Sequence, residues 1–124
     1  MAEPRTSMAA AVLLEVNCRD EAEALRIAEA AIERRLAAAA NHWPIFSVYR
    51  WKGEVVRGRE ERLVLKTIEP LRDRLQALVE ELHSYEVPAI SWNKTAGVTQ
   101  LHADWLLRTT NAARYLKGFA DPEA

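Results

Sequence analysis

The order of strand-like and helix-like segments along this chain predicts an α+β fold, β-α-β-β-α-β, with one further helix at the C-terminal end. Two strand-like runs stand next to each other in the middle of the chain, which indicates an antiparallel hairpin. The length of 124 residues, with 49% hydrophobic and 28% charged residues, fits one globular domain with one core. The sequence therefore predicts a single sheet that carries helices on one face.

The first strand and the first helix carry clear patterns. Residues 10–17, AAVLLEVN, form a β-branched and leucine-rich run with a single charge, which suits a central, largely buried strand. Asp20 is placed to cap the following helix, and Glu23 stands three residues on, where it can reach back. The predicted apolar face of this helix consists of Leu25, Ala28, Ile32 and Leu36. The segment LAAAAN, residues 36–41, is interpreted as the helix end.

The middle of the chain predicts two long antiparallel strands. IFSVYRWKG, residues 45–53, and ERLVLKTI, residues 61–68, are rich in β-branched and aromatic residues. Gly58 lies among charged residues between them, so the hairpin turn is predicted there. The segment REER, residues 59–62, is then interpreted as a solvated hairpin tip, or as a source of ion pairs between subunits.

Two more helices and one strand complete the predicted fold. The second helix begins at Pro70, whose missing N–H is tolerated in a first turn, and it ends near His83. Its apolar residues recur at helical spacing: Leu71, Leu75, Leu78, Val79 and Leu82. A strand is predicted after Pro88, and Thr99 is placed to cap a third, shorter helix that extends as far as Lys117.

The predicted boundaries divide the chain into a flexible N-terminal arm, residues 1–9, one domain, residues 10–117, and a C-terminal tail, residues 118–124. The domain has the split βαβ order of ferredoxin-like folds, in which helices cover one face of the sheet. Apolar side chains nevertheless alternate along the hairpin, with Phe46, Val48, Val64 and Ile68 against Ile45, Tyr49, Trp51, Leu63 and Leu65. Because one short C-terminal helix cannot cover the second face, self-association through that face is expected.

Three motifs resemble those of the CutA divalent-cation-tolerance family. SVYRWKGEVVRGREERLVLKT resembles the family's middle hairpin, HSYEVP resembles its His-Pro-Tyr-x-x-Pro segment, and ERRLAAAAN resembles its Leu-Ala-Ala-Cys-Val-Asn segment. The residues at the family's spacing are Tyr49, Trp51, Gly53, Glu60, Lys66 and Thr67 in the first motif, and His83, Tyr85 and Pro88 in the second. The resemblance is specific because three separate motifs occur in the family's order.

The resemblance implies a ferredoxin-like fold in a compact trimer, similar to the PII-type signalling proteins, with long hairpins joining neighbours. It also implies a link to divalent cations, copper in particular, and no established enzymatic reaction. The chain departs from the family pattern at four positions: Ala39 and Ala40 replace Cys and Val, Ser84 replaces Pro, and Ala89 replaces Glu. A thiolate and a carboxylate, which are ligand types for soft and borderline metals, are therefore missing from two positions.

His83 and Glu86 are the candidate metal ligands, one imidazole and one carboxylate. A specific transition-metal site usually needs three or four ligands, so symmetry-related copies would have to converge on one ion. The structural alternative is that His83 interacts favourably with the C-terminal end of the second helix, while Tyr85 packs the exit turn. No cofactor is required on either interpretation, and copper is the candidate divalent cation.

A cleft between subunits is the second candidate site. Its candidate residues are Tyr49, Trp51, Glu60, Lys66 and Tyr85. On this interpretation Lys66 attracts a small anionic ligand. The alternative is that the aromatic residues anchor the subunit interface, while Lys66 pairs with Glu60 or Glu61.

The remaining reactive side chains favour structural roles. Cys18 precedes a helix N-terminus, where a lowered pKa would give a reactive thiol or a copper ligand, but a small residue in a turn is the favoured interpretation. His42 and His102 are predicted to be surface histidines. The sequence contains no Gly-rich phosphate loop, no His-Glu-x-x-His motif and no nucleophile with an evident base.

The composition narrows the class of partner. A net charge of −1 gives no reason to expect nucleic acid, and no apolar run is long enough for a signal-peptide core or a membrane span. A single cysteine is typical of a reducing compartment, so a cytoplasmic location is predicted. Three functions stay open: a non-catalytic homotrimer that binds divalent cations weakly, a PII-like regulator that binds a small anion, and a small ferredoxin-like enzyme.

Overall fold

The computed structural model describes residues 10–112, which form one four-stranded antiparallel sheet with helices packed against it. The elements are β1 (Val12–Cys18), α1 (Glu21–Glu33), β2 (Ala39–Trp51), β3 (Glu54–Thr67), a short 3₁₀ turn (Glu69–Leu71), α2 (Arg72–Leu82), β4 (Ile90–Lys94) and α3 (Gln100–Thr109). The strand order β2-β3-β1-β4 is that of a ferredoxin-like fold, so the predicted α+β class is confirmed. The predicted arm, residues 1–9, and tail, residues 118–124, lie outside the described residues.

The core lies between the sheet and the two long helices. In β1 every second residue is buried, which is the period of a strand with one covered face. The side chains that fill this layer are completely buried; they are Leu14, Val16, Ile27, Leu63, Leu65, Leu75 and Val79. A side chain of this size contributes about 1.5–3 kcal/mol when it is fully buried, so this layer dominates the folding free energy.

The first helix begins as predicted and ends earlier. The Asp20 carboxylate accepts a hydrogen bond from the Glu23 amide at 2.9 Å, as expected of an N-cap. Arg35 adopts a left-handed conformation with φ 57° after the helix ends at Glu33. The amides of Arg35 and Leu36 then bond back to the carbonyls of Ile32 and Ala31, which is a Schellman ending.

Two predictions about α1 were wrong. Of the predicted apolar face, Ala28 is buried but Leu25 and Ile32 are exposed, and the face that packs on the sheet also carries Ala24, Ile27 and Ala31. The segment LAAAAN does not end the helix, because Ala39 and the residues after it belong to β2. Alanine has a high helix propensity, but pairing with β3 gives the backbone of this segment its hydrogen bonds, and tertiary context overrides the propensity.

The hairpin turn lies at Lys52 and Gly53, five residues before the predicted glycine, Gly58. Their φ values are 49° and 81°, and a two-residue hairpin loop of the I′ type needs positive φ at both positions. Gly58 instead lies inside β3, opposite Ser47. The segment 59–62 is therefore part of a strand and not a solvated tip, and Glu60 is only 8% exposed.

The hairpin carries apolar side chains on both faces, as predicted. The residues of β2 and β3 that share each face differ from the prediction. Directly paired residues share a face, and the register pairs Ile45 with Glu60 and Phe46 with Arg59. Phe46 and Val48 therefore share the helix-side face of the sheet with Leu63 and Leu65. Phe46 is 81% exposed and Val48 is 69% exposed, so the helices do not cover this part of the hairpin.

The third helix begins at the predicted cap and packs beside the start of β1 and the end of β3. The Thr99 hydroxyl accepts a hydrogen bond from the His102 amide, and Leu106 packs with Ala11 and Ile68 at the ends of β1 and β3. The helix ends at Thr109, and most of its predicted extension to residue 117 falls outside the described residues. Within residues 10–112, none of the helices has the length and apolar character needed to cross a bilayer.

Candidate functional site: a cleft beside the hairpin

A cleft of about 790 Å³ opens between the β2–β3 hairpin and the loop that follows α2. Four of the predicted cleft residues line it, namely Tyr49, Trp51, Glu60 and Tyr85, together with the predicted metal ligand Glu86. The other lining residues include Asn17, Phe46, Val48 and Val87. The strands place the aromatic and acidic side chains, and the loop supplies the opposite wall.

Glu60 and Tyr85 join the two walls. The Tyr85 hydroxyl donates a hydrogen bond of 2.7 Å to Oε2 of Glu60. Within residues 10–112, this hydroxyl is the only hydrogen-bond partner of the Glu60 carboxylate. Burial, and then the nearby carboxylate of Glu60, raise the pKa of Tyr85 well above its ordinary value. Tyr85 therefore keeps its proton and remains a donor at any ordinary pH.

The rim of the cleft holds a positive charge between an aromatic ring and a carboxylate. Lys52 Nζ lies 5.6 Å from the centre of the Trp51 ring and 3.7 Å from Oε2 of Glu86. The side chains of Lys52 and Glu86 are each 71% exposed, so this ion pair is screened by water and adds little stability. The arrangement shows what the rim can hold, which is a cation over an aromatic face.

His83 lies behind the cleft wall and does not meet Glu86 in one chain. The imidazole is buried, with Nε2 2.8 Å from the carbonyl oxygen of Asn17. Nδ1 accepts a hydrogen bond of 3.0 Å from the amide of Tyr85, which assigns the proton to Nε2. Both ring nitrogens are therefore engaged in holding the exit of α2, while Glu86 points to the Lys52 ammonium at the rim. These contacts give His83 a structural role through β1 and the loop after α2, and not through the predicted interaction with the end of the helix, while the metal-ligand hypothesis stays a prediction.

His83 instead meets a thiol and a second carboxylate inside the protein. The ligand atoms of Cys18, Glu23 and His83 all lie within 4.8 Å of one another. Glu23 is fully buried, and its two oxygens accept hydrogen bonds from the amides of Arg19 and Ser84 at 2.9 and 3.0 Å. Burial alone would raise the pKa of Glu23, but these hydrogen bonds and the nearby imidazole hold it below its ordinary value.

The thiol of this buried group is not prepared for metal binding or nucleophilic attack. Burial, followed by the charge of Glu23, raises the pKa of Cys18 to about 12. Only the thiolate binds metals or attacks electrophiles well, and its population near neutral pH is negligible at that pKa. A metal ion here would have to displace a thiol proton and break the backbone hydrogen bonds of Glu23 and His83. We therefore assign this group a structural role, and the raised pKa of Cys18 argues against the alternative of a reactive thiol that the sequence left open.

Lys66 lies away from the cleft. Its ammonium is 3.3 Å from Nε2 of His102 on α3. The predicted pairing of Lys66 with Glu60 or Glu61 was wrong, because Glu60 is six residues away on the same strand, about 20 Å at 3.3 Å per residue. Glu61 projects to the other face of β3, and its Oε2 lies 2.6 Å from Nδ1 of His42. His42 is thus hydrogen-bonded and half-buried, not the surface histidine that the sequence predicted.

Glu23 has a part in this region that was not predicted from the sequence. Its spacing from Asp20 indicated a capping box, but its second carboxylate oxygen reaches Ser84, 61 residues along the chain. The sequence signal is the spacing of Glu23 from Ile27. The two residues are one turn apart and therefore share the buried face of the helix.

Comparison with known proteins identifies the family. The profile of the CutA1 divalent ion tolerance protein family matches residues 12–109. This chain belongs to the CutA1 family. The divalent-cation tolerance protein CutA of Thermus thermophilus is 41% identical over 91 residues, which cover 73% of this chain and 88% of the relative. Its Thermotoga maritima counterpart is 38% identical over 87 residues, which cover 70% of this chain and 86% of the relative.

Solved CutA1 structures share the fold. The divalent cation tolerance protein of Thermus thermophilus superposes with a TM-score of 0.77 at 36% identity, over 82% of this chain and 99% of that chain. CutA1 of Oryza sativa gives a TM-score of 0.79 at 33% identity, over 85% of this chain and 98% of that chain. The ferredoxin-like architecture derived from the strand order is therefore the architecture of the family.

Proposed function

We propose that this CutA1 protein is a non-catalytic homotrimer that acts in the cytoplasm in the tolerance of divalent cations and binds such cations weakly. Membership of the CutA1 family and the names of the relatives support the link to divalent cations. The buried thiol of Cys18, with its raised pKa, supports a role without nucleophilic catalysis. The homotrimer is supported chiefly by the surface of the hairpin.

The observation that carries the proposal is the band of exposed large apolar side chains on the β2–β3 hairpin. Its members are Trp43, Phe46, Val48, Tyr49, Trp51 and Val55, each at least 39% exposed. Large contiguous apolar patches are uncommon on monomers and mark interaction surfaces. A hairpin that carries apolar side chains on both faces can contact two neighbours at once, which is the requirement of a closed ring of three copies.

Weak cation binding follows from the ligands that one chain offers. Glu60 and Glu86 line the cleft and attract cations, but they supply two carboxylates where a specific transition-metal site needs three or four ligands. The exposed ligand, Glu86, is already paired with Lys52. We therefore expect cation affinity that is low and sensitive to salt.

Native mass spectrometry of the metal-stripped protein tests the assembly and the metal together. We expect the mass of three chains of 14.1 kDa each. With added copper or zinc, we expect ions that are lost at moderate ionic strength. A monomer at micromolar concentration would refute the trimer, and a fixed number of tightly retained ions would refute weak binding.

Truncation of one apolar side chain at the hairpin then separates assembly from folding. Trp51→Ala should weaken the trimer, because tryptophan side chains often anchor interfaces. Leu25→Ala on α1 removes a side chain of similar exposure, 42% against 39% for Trp51, and serves as the control. Equal subunit exchange in both variants would contradict a trimer joined through the hairpin.

A second candidate function is a PII-like regulator that binds a small anion. The ammonium of Lys66 donates to Nε2 of His102 at 3.3 Å beside α3, and the positive charge of Lys66 is the observation that favours an anion. A panel of nucleotides tests it, because a ligand that binds the native state must raise the melting temperature. No shift with any anion, at concentrations that shift a known PII-type protein, would reject this candidate.

A further inference from the structure

We propose that Glu23 and Tyr85 are positioning residues for assembly, which act through the loop after α2 and hold the β2–β3 hairpin in the direction in which it joins other copies. This inference rests on the proposed homotrimer and names the residues outside the hairpin that set its geometry. Glu23 is fully buried within one chain, so its side chain cannot contact a second copy. Its influence on assembly must therefore pass through the residues that it holds.

The hairpin leaves the four-stranded sheet at Glu60. The pairing of β1 with β3 ends at Cys18 opposite Glu61. Within residues 10–112, β3 pairs with β2 alone from Glu60 to the turn. A two-stranded ribbon twists more strongly than a wider sheet and is only marginally stable by itself. A contact at Glu60 therefore decides the direction in which the rest of the hairpin projects.

Three consecutive residues of the loop after α2 contact three different elements. Nε2 of His83 donates to a carbonyl oxygen of β1 at 2.8 Å. The amide of Ser84 donates to Oε2 of Glu23 on α1 at 3.0 Å. The hydroxyl of Tyr85 donates to Oε2 of Glu60 on β3 at 2.7 Å. Because these residues are consecutive, the loop transmits the position of the core directly to the base of the hairpin.

The contact between Glu23 and the loop depends on a residue that departs from the family motif. Ser84 stands where His-Pro-Tyr has proline, and proline has no N–H to donate. In this chain the Ser84 amide is bonded to the Glu23 carboxylate, whose other oxygen accepts from the Arg19 amide at 2.9 Å. A proline ring restricts the backbone by itself, whereas serine does not. Glu23 supplies the restraint instead, so residues 23 and 84 act as a pair.

The rate of subunit exchange tests the proposal, measured by native mass spectrometry after isotope-labelled and unlabelled full chains are mixed. Tyr85→Phe removes only the hydroxyl that holds Glu60, and it should raise the exchange rate about tenfold because a hydrogen bond to a charged group is lost. Ile27→Val is the control, since it removes one buried methylene from α1 and lowers stability away from the loop. Its exchange rate should stay within about twofold of that of the wild type.

The pair formed by residues 23 and 84 gives a second test. Glu23→Gln leaves one side-chain oxygen for two amide donors, and Ser84→Pro removes one of those donors. Each single variant should raise the exchange rate, while the double variant should exchange no faster than Glu23→Gln alone. Tyr85→Phe keeps the proposal testable if either of these variants fails to fold, because it retains the aromatic ring.

The wild type and the variants separate failure of this inference from failure of the proposed trimer. A monomeric wild type would refute the homotrimer and this inference together. A trimeric wild type that exchanges at the same rate as Tyr85→Phe would overturn this inference alone. Effects of Glu23→Gln and Ser84→Pro that multiply in the double variant would also overturn it, because the two residues would then act separately.

Discussion

Replacing Glu23 with glutamine tests the buried connection between the start of α1 and the loop after α2. In the wild type, two carboxylate oxygens accept hydrogen bonds from the amides of Arg19 and Ser84. The glutamine side chain has the same shape but only one acceptor oxygen, so its NH₂ group faces one of these N–H donors. That amide loses its partner in a place with no access to water, since Glu23 is fully buried.

The expected loss of stability in Glu23→Gln is about 2 kcal/mol. An orphaned buried donor costs roughly 1–3 kcal/mol, and weakening of the other hydrogen bond from charged to neutral costs about 1 kcal/mol more. Removal of a buried charge recovers part of this cost, because the carboxylate no longer has to be desolvated. For a domain of this size, about 2 kcal/mol corresponds to a fall in melting temperature of roughly 10 °C.

The dependence on pH separates this explanation from a general packing defect. The pKa of Glu23 is lowered in the folded state. Its contribution to the free energy of unfolding is therefore complete when the pH is above the ordinary pKa of 4.5, and it is lost as the pH falls through the folded pKa. The difference between wild type and Glu23→Gln should therefore be constant from pH 6 to 8 and shrink below about pH 4.5.

Urea unfolding at one fixed protein concentration, from pH 3 to pH 8, measures this difference. Glu29→Gln, which lies on the exposed face of the same helix, is the control and should match the wild type. A loss in Glu23→Gln below 0.5 kcal/mol at pH 7, or one that stays the same at pH 3, would refute the reasoning.

Three further predictions concern single positions. Gly53→Ala should cost about 1 kcal/mol because φ is 81° there, while Gly58→Ala should be neutral; equal effects in chemical unfolding would contradict the assigned turn. Alkylation of Cys18 by iodoacetamide at pH 8 should require unfolding, because the thiol is buried and its pKa is about 12; rapid labelling of the native protein would disprove this. Arg35→Gly should be about 1 kcal/mol more stable than Arg35→Ala, since both lose the side chain and only glycine tolerates the left-handed conformation at no cost; a more stable alanine variant would exclude the assigned helix ending.

The sequence was sufficient for the class and order of the elements, because those depend on periodic patterns that are local. The spacing of apolar residues in α2 and the capping positions of α1 and α3 fall as predicted. The ends of elements were less predictable. Ala39 and Ala40 have a high helix propensity, and only their pairing with β3 makes them part of a strand.

The hairpin turn shows why a local signal can mislead. Gly53 and Gly58 both lie among charged residues, and either can supply positive φ. The turn forms at Gly53 because the register then pairs the whole of β2 with β3, from Ala39 with Lys66 to Trp51 with Glu54. The number of residue pairs formed between β2 and β3 decides between the two turn positions. This number depends on the whole length of both strands and cannot be read from the residues around either glycine.

The candidate site was predictable in part for the same reason. Tyr49, Trp51, Glu60 and Tyr85 line one cleft within a single chain, and the predicted cleft between subunits stays a prediction. Lys66 does not line this cleft, because the length of β3 separates it from Glu60. The convergence of Cys18, Glu23 and His83 depends on three different elements, and only the folded backbone brings their ligand atoms within 4.8 Å.

The position of β1 in the sheet has a consequence for synthesis of the chain. β1 is made before the other three strands, and in the finished sheet it is flanked by β3, which follows β2, and by β4, the last of the four strands. Loop closure over such distances is slow compared with formation of the local β2–β3 hairpin. The apolar run of β1 therefore stays without a strand partner until Glu61 has emerged, and pairing at its second edge begins only with Ile90 and is complete with Lys94. A ribosome stalled before Lys94 would present an unpaired strand edge, the state in which a nascent chain most needs a chaperone.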